Sequence, residues 1–140
     1  MMKKVLLLTS IFANIVSSNV FNDIENLIQD KNYVLPAKKA FHFEYTRNES
    51  STILNWKIKS GYYLYYDSIK VVKSNELLQY EVLEGNILNH KDEFFGETKI
   101  IKEKIKIFVN NKDLSKYETV FYQGCSEKGF CYPIQSIKIQ

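Results

Sequence analysis

The sequence has few of the residues that mark loop-rich, metal-binding or disulfide-rich proteins. Its 140 residues include five glycines, two prolines, two cysteines and two histidines. So few glycines and prolines exclude collagen-like and low-complexity chains. Two cysteines and two distant histidines do not make a zinc site. Arginine is also scarce, since Arg47 is the only one among nineteen basic residues.

A dominant charge of one sign is lacking as well. Nineteen basic and sixteen acidic residues leave a formal charge of +3. The charges are scattered evenly, which argues against a nucleic-acid or anionic-lipid partner. Aromatic residues are abundant instead, with ten Tyr, nine Phe and one Trp. Side chains of that size can fill a core, so the sequence predicts one folded domain rather than a disordered chain.

Only one apolar run is long, and it lies at the N-terminus. Residues 5–16 are apolar, Lys3 and Lys4 precede them, and small polar residues follow. This layout predicts a secretory signal peptide over residues 1–18 and a mature domain over 19–140. The alternative is an uncleaved anchor, although the run is shorter than the roughly 20 residues that span a bilayer. Export predicts an oxidising compartment in which two cysteines can pair.

The spacing of apolar residues predicts the fold class. Helical spacing predicts a short helix over Asn22–Lys31. After Pro36 the period changes to two, which is typical of half-buried strands. Strands are predicted at Phe41–Tyr45, Thr52–Ile58, Ser68–Val72, Leu77–Leu83, Lys99–Val109, Glu118–Gly124 and Ile134–Ile139. This pattern predicts an all-β fold, an antiparallel β-sandwich with a short N-terminal helix and with Trp56 in its core.

Cys125 and Cys131 flank five residues between two predicted strands, a spacing that suits a disulfide at the end of a hairpin. A structural bridge across so short a loop contributes only about 2 kcal/mol. A short loop also lets thiol and disulfide forms interconvert without dismantling the fold, which favours redox chemistry. The spacing alone leaves both interpretations open. His42 in an apolar strand and His90 in a polar loop are interpreted as packing or surface residues.

Three separated blocks of the sequence carry a family resemblance. They are the cysteine-containing string Tyr122–Pro133, the aromatic block Trp56–Tyr65 and the acidic block Asp92–Gly96. In order and spacing they resemble the N-terminal periplasmic domain family of the thiol:disulfide interchange protein DsbD. The resemblance covers the chain from about Leu35 to Pro133 and is more specific than a cysteine pair alone.

The resemblance implies an immunoglobulin-like sandwich with protein-disulfide reductase activity and no cofactor. A thioredoxin-like donor would reduce the domain. The domain would then reduce periplasmic thioredoxin-fold proteins, such as a disulfide isomerase and a cytochrome c maturation thioredoxin. A membrane would be involved only through a separate transmembrane domain, and a monomer is the simplest expectation. The alternative function is a non-catalytic exported β-sandwich that binds a partner and contains a structural disulfide.

The resemblance also implies roles for individual residues. Cys131 would form the mixed disulfide with partners, Cys125 would resolve it, and Phe94 would cap the pair. Exchange between two thiols and a disulfide requires no further group.

Four more residues are implied to surround the pair. Asp92 and Glu93 would lie near Cys131 and disfavour its thiolate through like charge. An ordinary solvated turn is the alternative for these two carboxylates. Tyr63 and Tyr65 would line the site beneath the cap, although plain sheet packing also explains alternating tyrosines.

Overall fold

The computed structural model describes residues 33–93, 95–110 and 118–140. These residues form a four-residue helix, a 3-10 turn at Tyr66–Ser68 and eleven strands. The elements are α1 (Ala37–Ala40), β1 (Phe41–Arg47), β2 (Ser51–Ile58), β3 (Tyr62–Tyr65), β4 (Lys70–Lys73), β5 (Glu76–Leu78), β6 (Glu81–Asp92), β7 (Gly96–Asn110), β8 (Glu118–Tyr122), β9 (Gly124–Ser126), β10 (Phe130–Cys131) and β11 (Gln135–Ile139).

The strands form two antiparallel sheets. The seven-stranded sheet has the order β1-β2-β7-β3-β9-β10, with β6 paired to β7, and the four-stranded sheet has the order β11-β8-β4-β5. Trp56 of the first sheet and Tyr122 of the second are both fully buried, and their ring centroids are 5.7 Å apart. The sheets therefore pack face to face around an aromatic core, as the sequence predicts for a sandwich.

Alternating residues account for the best-predicted strands. Every second residue of β2 is buried, including Leu54 and Trp56, because successive side chains of a strand point to opposite faces. The same alternation buries Ile105 and Ile107 of β7 and leaves Lys104 exposed. The predicted core position of Trp56 is confirmed.

Three predicted strands extend into a neighbouring element. Leu77–Leu83 is divided between β5 and β6, and β6 continues through polar residues to Asp92. Glu118–Gly124 ends at Tyr122, after which the chain crosses from the four-stranded to the seven-stranded sheet at Gln123. Ser68 lies in the 3-10 turn rather than in β4. In each case the hydrophobic pattern continues across a change of sheet or direction that only tertiary pairing determines.

Some predictions fall on residues that the structure does not describe. The signal peptide over residues 1–18 and the helix over residues 22–31 lie outside the described ranges. Within residues 33–93, 95–110 and 118–140, no helix has the length and apolar character needed to cross a bilayer.

Candidate active site

The two cysteines lie opposite each other in a short hairpin. Strands β9 and β10 pair Cys125 directly with Cys131, and a disulfide joins them with a Cα–Cα distance of 4.0 Å. Between them, the Gly129 amide donates to the Ser126 carbonyl at 3.0 Å. Gly129 has a φ of +85°, a conformation that favours glycine. The predicted hairpin-end disulfide is confirmed.

The two sulfur-bearing residues differ in exposure. Cys125 is fully buried, and its strand pairs with β3 so that Tyr63 lies opposite it. Cys131 is partly exposed on β10, which pairs with β9 at the end of the strand order of the seven-stranded sheet. A partner molecule can therefore reach Cys131 without unfolding the sheet, whereas Cys125 is covered.

Gln123 fixes the backbone where the chain enters β9. Its amide donates to Ser68 Oγ at 2.8 Å, and its carbonyl accepts from the Tyr65 amide at 2.9 Å. Its side-chain Nε2 donates to the Tyr132 carbonyl at 3.0 Å. These bonds tie the residue before Gly124 to the residue after Cys131. The positions of both cysteines are thus linked to the turn that follows β3.

Tyr65 and Asp92 lie beside the disulfide. The Tyr65 hydroxyl donates to Asp92 Oδ2 at 2.5 Å, and its oxygen lies 3.2 Å from Cys125 Sγ and 3.9 Å from Cys131 Sγ. Tyr63 donates to the same carboxylate oxygen at 3.4 Å. Asp92 is 7% exposed, so hydrogen bonds from the two phenols replace most of the solvent contacts of its carboxylate.

The surroundings keep both phenols neutral. Burial raises the pKa of Tyr65 well above its ordinary value, and the hydrogen bond to Asp92 raises it further. Burial also raises the pKa of Tyr63, and the negative charge of Asp92 adds to that effect. Both tyrosines therefore remain protonated near neutral pH and act as hydroxyl donors.

Asp92 also organises the turn that joins β6 to β7. Its Oδ1 accepts from the Phe95 amide at 3.0 Å, while its Oδ2 accepts from the tyrosines. The Phe95 ring packs edge-on against Tyr65 with centroids 5.0 Å apart, although Phe95 is 58% exposed. One carboxylate thus connects the turn with the residues next to the disulfide.

An open groove of about 370 Å³ lies next to Cys131, and we call it the Cys131 groove. Its lining residues are Tyr63, His90, Lys91, Asp92, Glu93, Ser126, Glu127, Gly129 and Cys131. Glu127 projects from the turn between the cysteines and pairs with Lys102 of β7 at 2.6 Å. Three carboxylates therefore line the groove together with the accessible cysteine, and the groove has space for a partner's side chains.

Most of the residues implied by the resemblance come together at this site. Tyr63, Tyr65 and Asp92 contact one another, and Glu93 lies on the rim of the Cys131 groove. Phe94 lies outside the described residues.

Sequence reasoning missed two further residues near the pair. One is Phe95, described above, and the other is His90, which was predicted in a polar loop. That prediction is wrong, because His90 is half-buried in β6 and its ring lies 5.3 Å from the Tyr63 ring. Its spacing of two residues from Asp92, which places both side chains on one face of a strand, is a signal that could have located it. His42 is exposed and bonded to Glu44, as a surface residue would be.

Comparison with known proteins identifies the family. A family model described as "Thiol:disulfide interchange protein DsbD, N-terminal" matches residues 31–140. The DsbD protein of Cronobacter sakazakii is 37% identical over 107 residues, which is 75% of this chain and 18% of that protein. The DsbD protein of Shigella boydii is 36% identical over 101 residues, which is 71% of this chain and 18% of that protein. The chain thus spans about a fifth of the length of these relatives.

Solved structures show the same fold. The reduced form of the Neisseria meningitidis DsbD N-terminal domain superposes with a TM-score of 0.62 and 29% identity, covering 76% of this chain and 87% of that one. The complex between the DsbD and PilB N-terminal domains of the same organism gives a TM-score of 0.59 and 28% identity, covering 77% and 87%. The sequence match, the sandwich and the paired cysteines agree, and the chain therefore belongs to the DsbD N-terminal domain family.

Proposed function

We propose that the domain carries reducing equivalents through Cys125 and Cys131, which alternate between a dithiol and a disulfide. The difference in exposure between the two cysteines carries this proposal. A partly exposed cysteine backed by a buried one separates the partner-binding thiol from the resolving thiol. A purely structural bridge has no need of that division. The reduced form of the Neisseria relative supports a pair that can open within this fold.

In this proposal Cys131 acts first. Its thiolate attacks one sulfur of a partner's disulfide, a Cys131–partner bond forms, and the partner's other sulfur leaves as a thiolate that takes up a proton. The Cys125 thiolate then attacks Cys131 Sγ. This second step forms the Cys125–Cys131 disulfide and releases the partner's remaining thiolate. Two electrons pass from the domain to the partner, and a donor returns them by the reverse steps.

Tyr65 and Asp92 are suited to receive the proton of the resolving thiol. In the reduced form Cys125 carries a hydrogen, and the Tyr65 oxygen lies 3.2 Å from its sulfur. The Tyr65 hydroxyl in turn donates to Asp92. A chain of hydrogen bonds therefore leads from the buried thiol to a carboxylate, and a phenol that stays neutral passes the proton without storing it.

The groove is suited to restrain Cys131 between encounters. Asp92, Glu93 and Glu127 line it, and their negative charge disfavours a nearby thiolate. Phe94, which the resemblance assigns as the cap, would shield the pair and move aside when a partner docks. Both devices slow reaction with stray disulfides and leave exchange to a partner that fits the site.

Thioredoxin-fold proteins are the partners that we propose. The curated relatives are named as thiol:disulfide interchange proteins, and a Neisseria relative forms a complex with the PilB N-terminal domain. In this proposal a thioredoxin-like domain donates the electrons, and a disulfide isomerase or a cytochrome c maturation thioredoxin accepts them. The exchange takes place in the periplasm, to which the predicted signal peptide over residues 1–18 directs the chain.

Trapping the mixed disulfide tests the proposal. In Cys125→Ser the resolving thiol is missing, so we expect a covalent complex between Cys131 and a periplasmic thioredoxin-fold protein to accumulate. Non-reducing electrophoresis followed by mass spectrometry of the linked peptides identifies both sulfurs. The matched variant is Cys131→Ser, which should trap much less. Trapping through Cys125 alone would reverse the assigned roles, and trapping by neither variant would leave the disulfide structural.

A further inference from the structure

Strand β10, which carries Cys131, is attached to the sheet over a short length. It has only two residues, Phe130 and Cys131, and among the described strands it pairs with β9 alone. Pro133 has no amide hydrogen, so no backbone donor extends the ladder just after Tyr132. Once the disulfide is reduced, other contacts must keep Cys131 opposite Cys125 if the pair is to re-form quickly.

The side chain of Gln123 supplies such a contact. Its Nε2 donates to the Tyr132 carbonyl at 3.0 Å, and the Tyr132 amide donates to the Gly124 carbonyl at 3.0 Å. The residue after Cys131 is thus bonded through both of its backbone groups to the two residues before Cys125. Gln123 is half-buried, which limits the competition of water for its bond to Tyr132.

Gln123 is itself held in place through its backbone. Its amide donates to Ser68 Oγ at 2.8 Å, and its carbonyl accepts from the Tyr65 amide at 2.9 Å. The Ser68 hydroxyl donates to the Tyr65 carbonyl at 2.6 Å. These partners belong to β3 and the 3-10 turn after it, which contain neither cysteine. A substitution of the Gln123 side chain therefore removes the bond to Tyr132 and leaves the backbone bonds of Gln123 available.

We propose that Gln123 is a positioning residue of the redox pair, because its bond to the Tyr132 carbonyl favours the disulfide over the dithiol. This inference rests on the proposed function, in which the pair alternates between the two forms. The disulfide holds the Tyr132 carbonyl within reach of Gln123, so the bond costs less conformational entropy in the oxidised domain than in the reduced one. Coupling of this kind is reciprocal, and the bond therefore favours the disulfide by the same factor.

Oxidation by glutathione disulfide separates two steps and requires no protein partner. The Cys131 thiolate attacks one sulfur of glutathione disulfide, a Cys131–glutathione bond forms, and one glutathione leaves as a thiolate that takes up a proton. The Cys125 thiolate then attacks Cys131 Sγ, closes the disulfide and releases the second glutathione. Two electrons pass from the domain to glutathione disulfide. Gln123 acts on the second step, because only that step brings β9 and β10 together.

Gln123→Met keeps a side chain of similar length but has no donor for the Tyr132 carbonyl. We expect the closing step to slow about fivefold and the equilibrium constant for oxidation by glutathione disulfide to fall about fivefold, the size of one neutral hydrogen bond. The reduction potential then rises by about 20 mV. The first step should keep its rate, since the exposure of Cys131 is unchanged. Acid quenching and mass spectrometry of the glutathione adduct give both rates.

Gln135→Met is the matched control. The Gln135 side chain also donates to a backbone carbonyl, that of Pro133 at 2.7 Å, but this bond lies in an exposed stretch after β10 and does not reach β9. Neither the closing rate nor the equilibrium constant should change in this variant. Gln123→Ala is a second variant without the donor should the methionine variant fail to fold, and it should show the same fall.

A purely structural role of Gln123 has a different signature. It would lower the free energy of unfolding of the oxidised and reduced forms equally, as urea unfolding followed by Trp56 fluorescence measures, and would leave the equilibrium constant at its wild-type value. An unchanged constant in Gln123→Met, with successful trapping in Cys125→Ser, would overturn the role of Gln123 and leave the proposed function standing. The expected fall, with no trapping by either cysteine variant, would support the role of Gln123 and refute exchange with partners.

Discussion

Gly124→Ala is expected to lower the free energy of unfolding by about 3 kcal/mol, the upper part of the range for overpacked cores. An added Cβ would overlap the Tyr63 carbonyl oxygen and lie 2.6 Å from Phe41 Cζ and 2.9 Å from Leu64 Cδ2. Backbone and an aromatic ring in the core cannot yield as a flexible chain end would. The strand would have to move away from β3, and Cys125 would move with it.

Urea unfolding measures this loss. Trp56 is the only tryptophan and is fully buried, so its fluorescence reports the transition. The matched control is Gly85→Ala on β6, where the nearest neighbour of an added Cβ is Ile105 Cγ1 at 3.2 Å. Ile105 has to yield by only a few tenths of an ångström, and we expect a change below about 1 kcal/mol. If both substitutions lowered the free energy of unfolding equally, overlap of an added Cβ with its neighbours would not explain why position 124 requires glycine.

Arg47→Ala is expected to have an even larger effect at neutral pH, about 3–5 kcal/mol. Arg47 of β1 forms an ion pair with Glu118 of β8 and so links the two sheets. The Glu118 side chain is fully buried, and its Oε1 has no hydrogen-bond partner among the described residues. Without Arg47 the carboxylate would be a buried charge with its closest counterion removed.

The loss should depend on pH. Burial raises the pKa of Glu118, and Arg47 opposes that rise. A carboxyl with a raised pKa in the folded protein contributes stability while it is protonated and loses it as the pH rises through that pKa. In Arg47→Ala the guanidinium no longer opposes the rise in the pKa of Glu118. The free energy of unfolding lost on substitution should therefore be larger at pH 7.5 than at pH 5.

A second substitution tests the cause. Arg47→Ala combined with Glu118→Gln should recover most of the lost stability, because no charge then remains buried. Urea unfolding of the wild-type protein and of the single and double variants at both pH values completes a double-mutant cycle. A loss that is the same at pH 5 and pH 7.5, or that Glu118→Gln does not reduce, would mean that packing of the Arg47 side chain and not its charge stabilises the sandwich.

The sequence predicts strands well where one face of the strand is buried and the other is exposed to solvent. Lysines alternate with isoleucines along β7, and the prediction there nearly matches the strand. It fails on β6, whose residues are mostly exposed and which, among the described strands, pairs only with β7. A strand stabilised by backbone pairing along one edge shows no hydrophobic period. The four residues of α1 are likewise too few for a helical pattern to appear.

The candidate site was likewise predicted only in part. The cysteines could be paired from their spacing, and the family resemblance implied that Asp92 lies near Cys131 and that Tyr63 and Tyr65 line the site beneath the cap. The contact of His90 with Tyr63 depends on how far β6 extends along β7, which the sequence did not predict. In the sequence Gly124 looks like an ordinary residue at the end of a strand. The structure shows that it can have no side chain, because Phe41 packs against it. Contacts between distant segments thus account for most of what the sequence missed.

The central claim is that Cys125 and Cys131 form a redox-active pair, and their reduction potential tests it most directly. The measurement equilibrates the domain with glutathione or dithiothreitol buffers and traps the free thiols, while Trp56 fluorescence reports the fold. We expect a potential within the range of thioredoxin-fold oxidoreductases, about −120 to −270 mV, with the fold retained after reduction. A potential below about −300 mV, or unfolding on reduction, would show that the disulfide is a structural bridge and contradict the proposal.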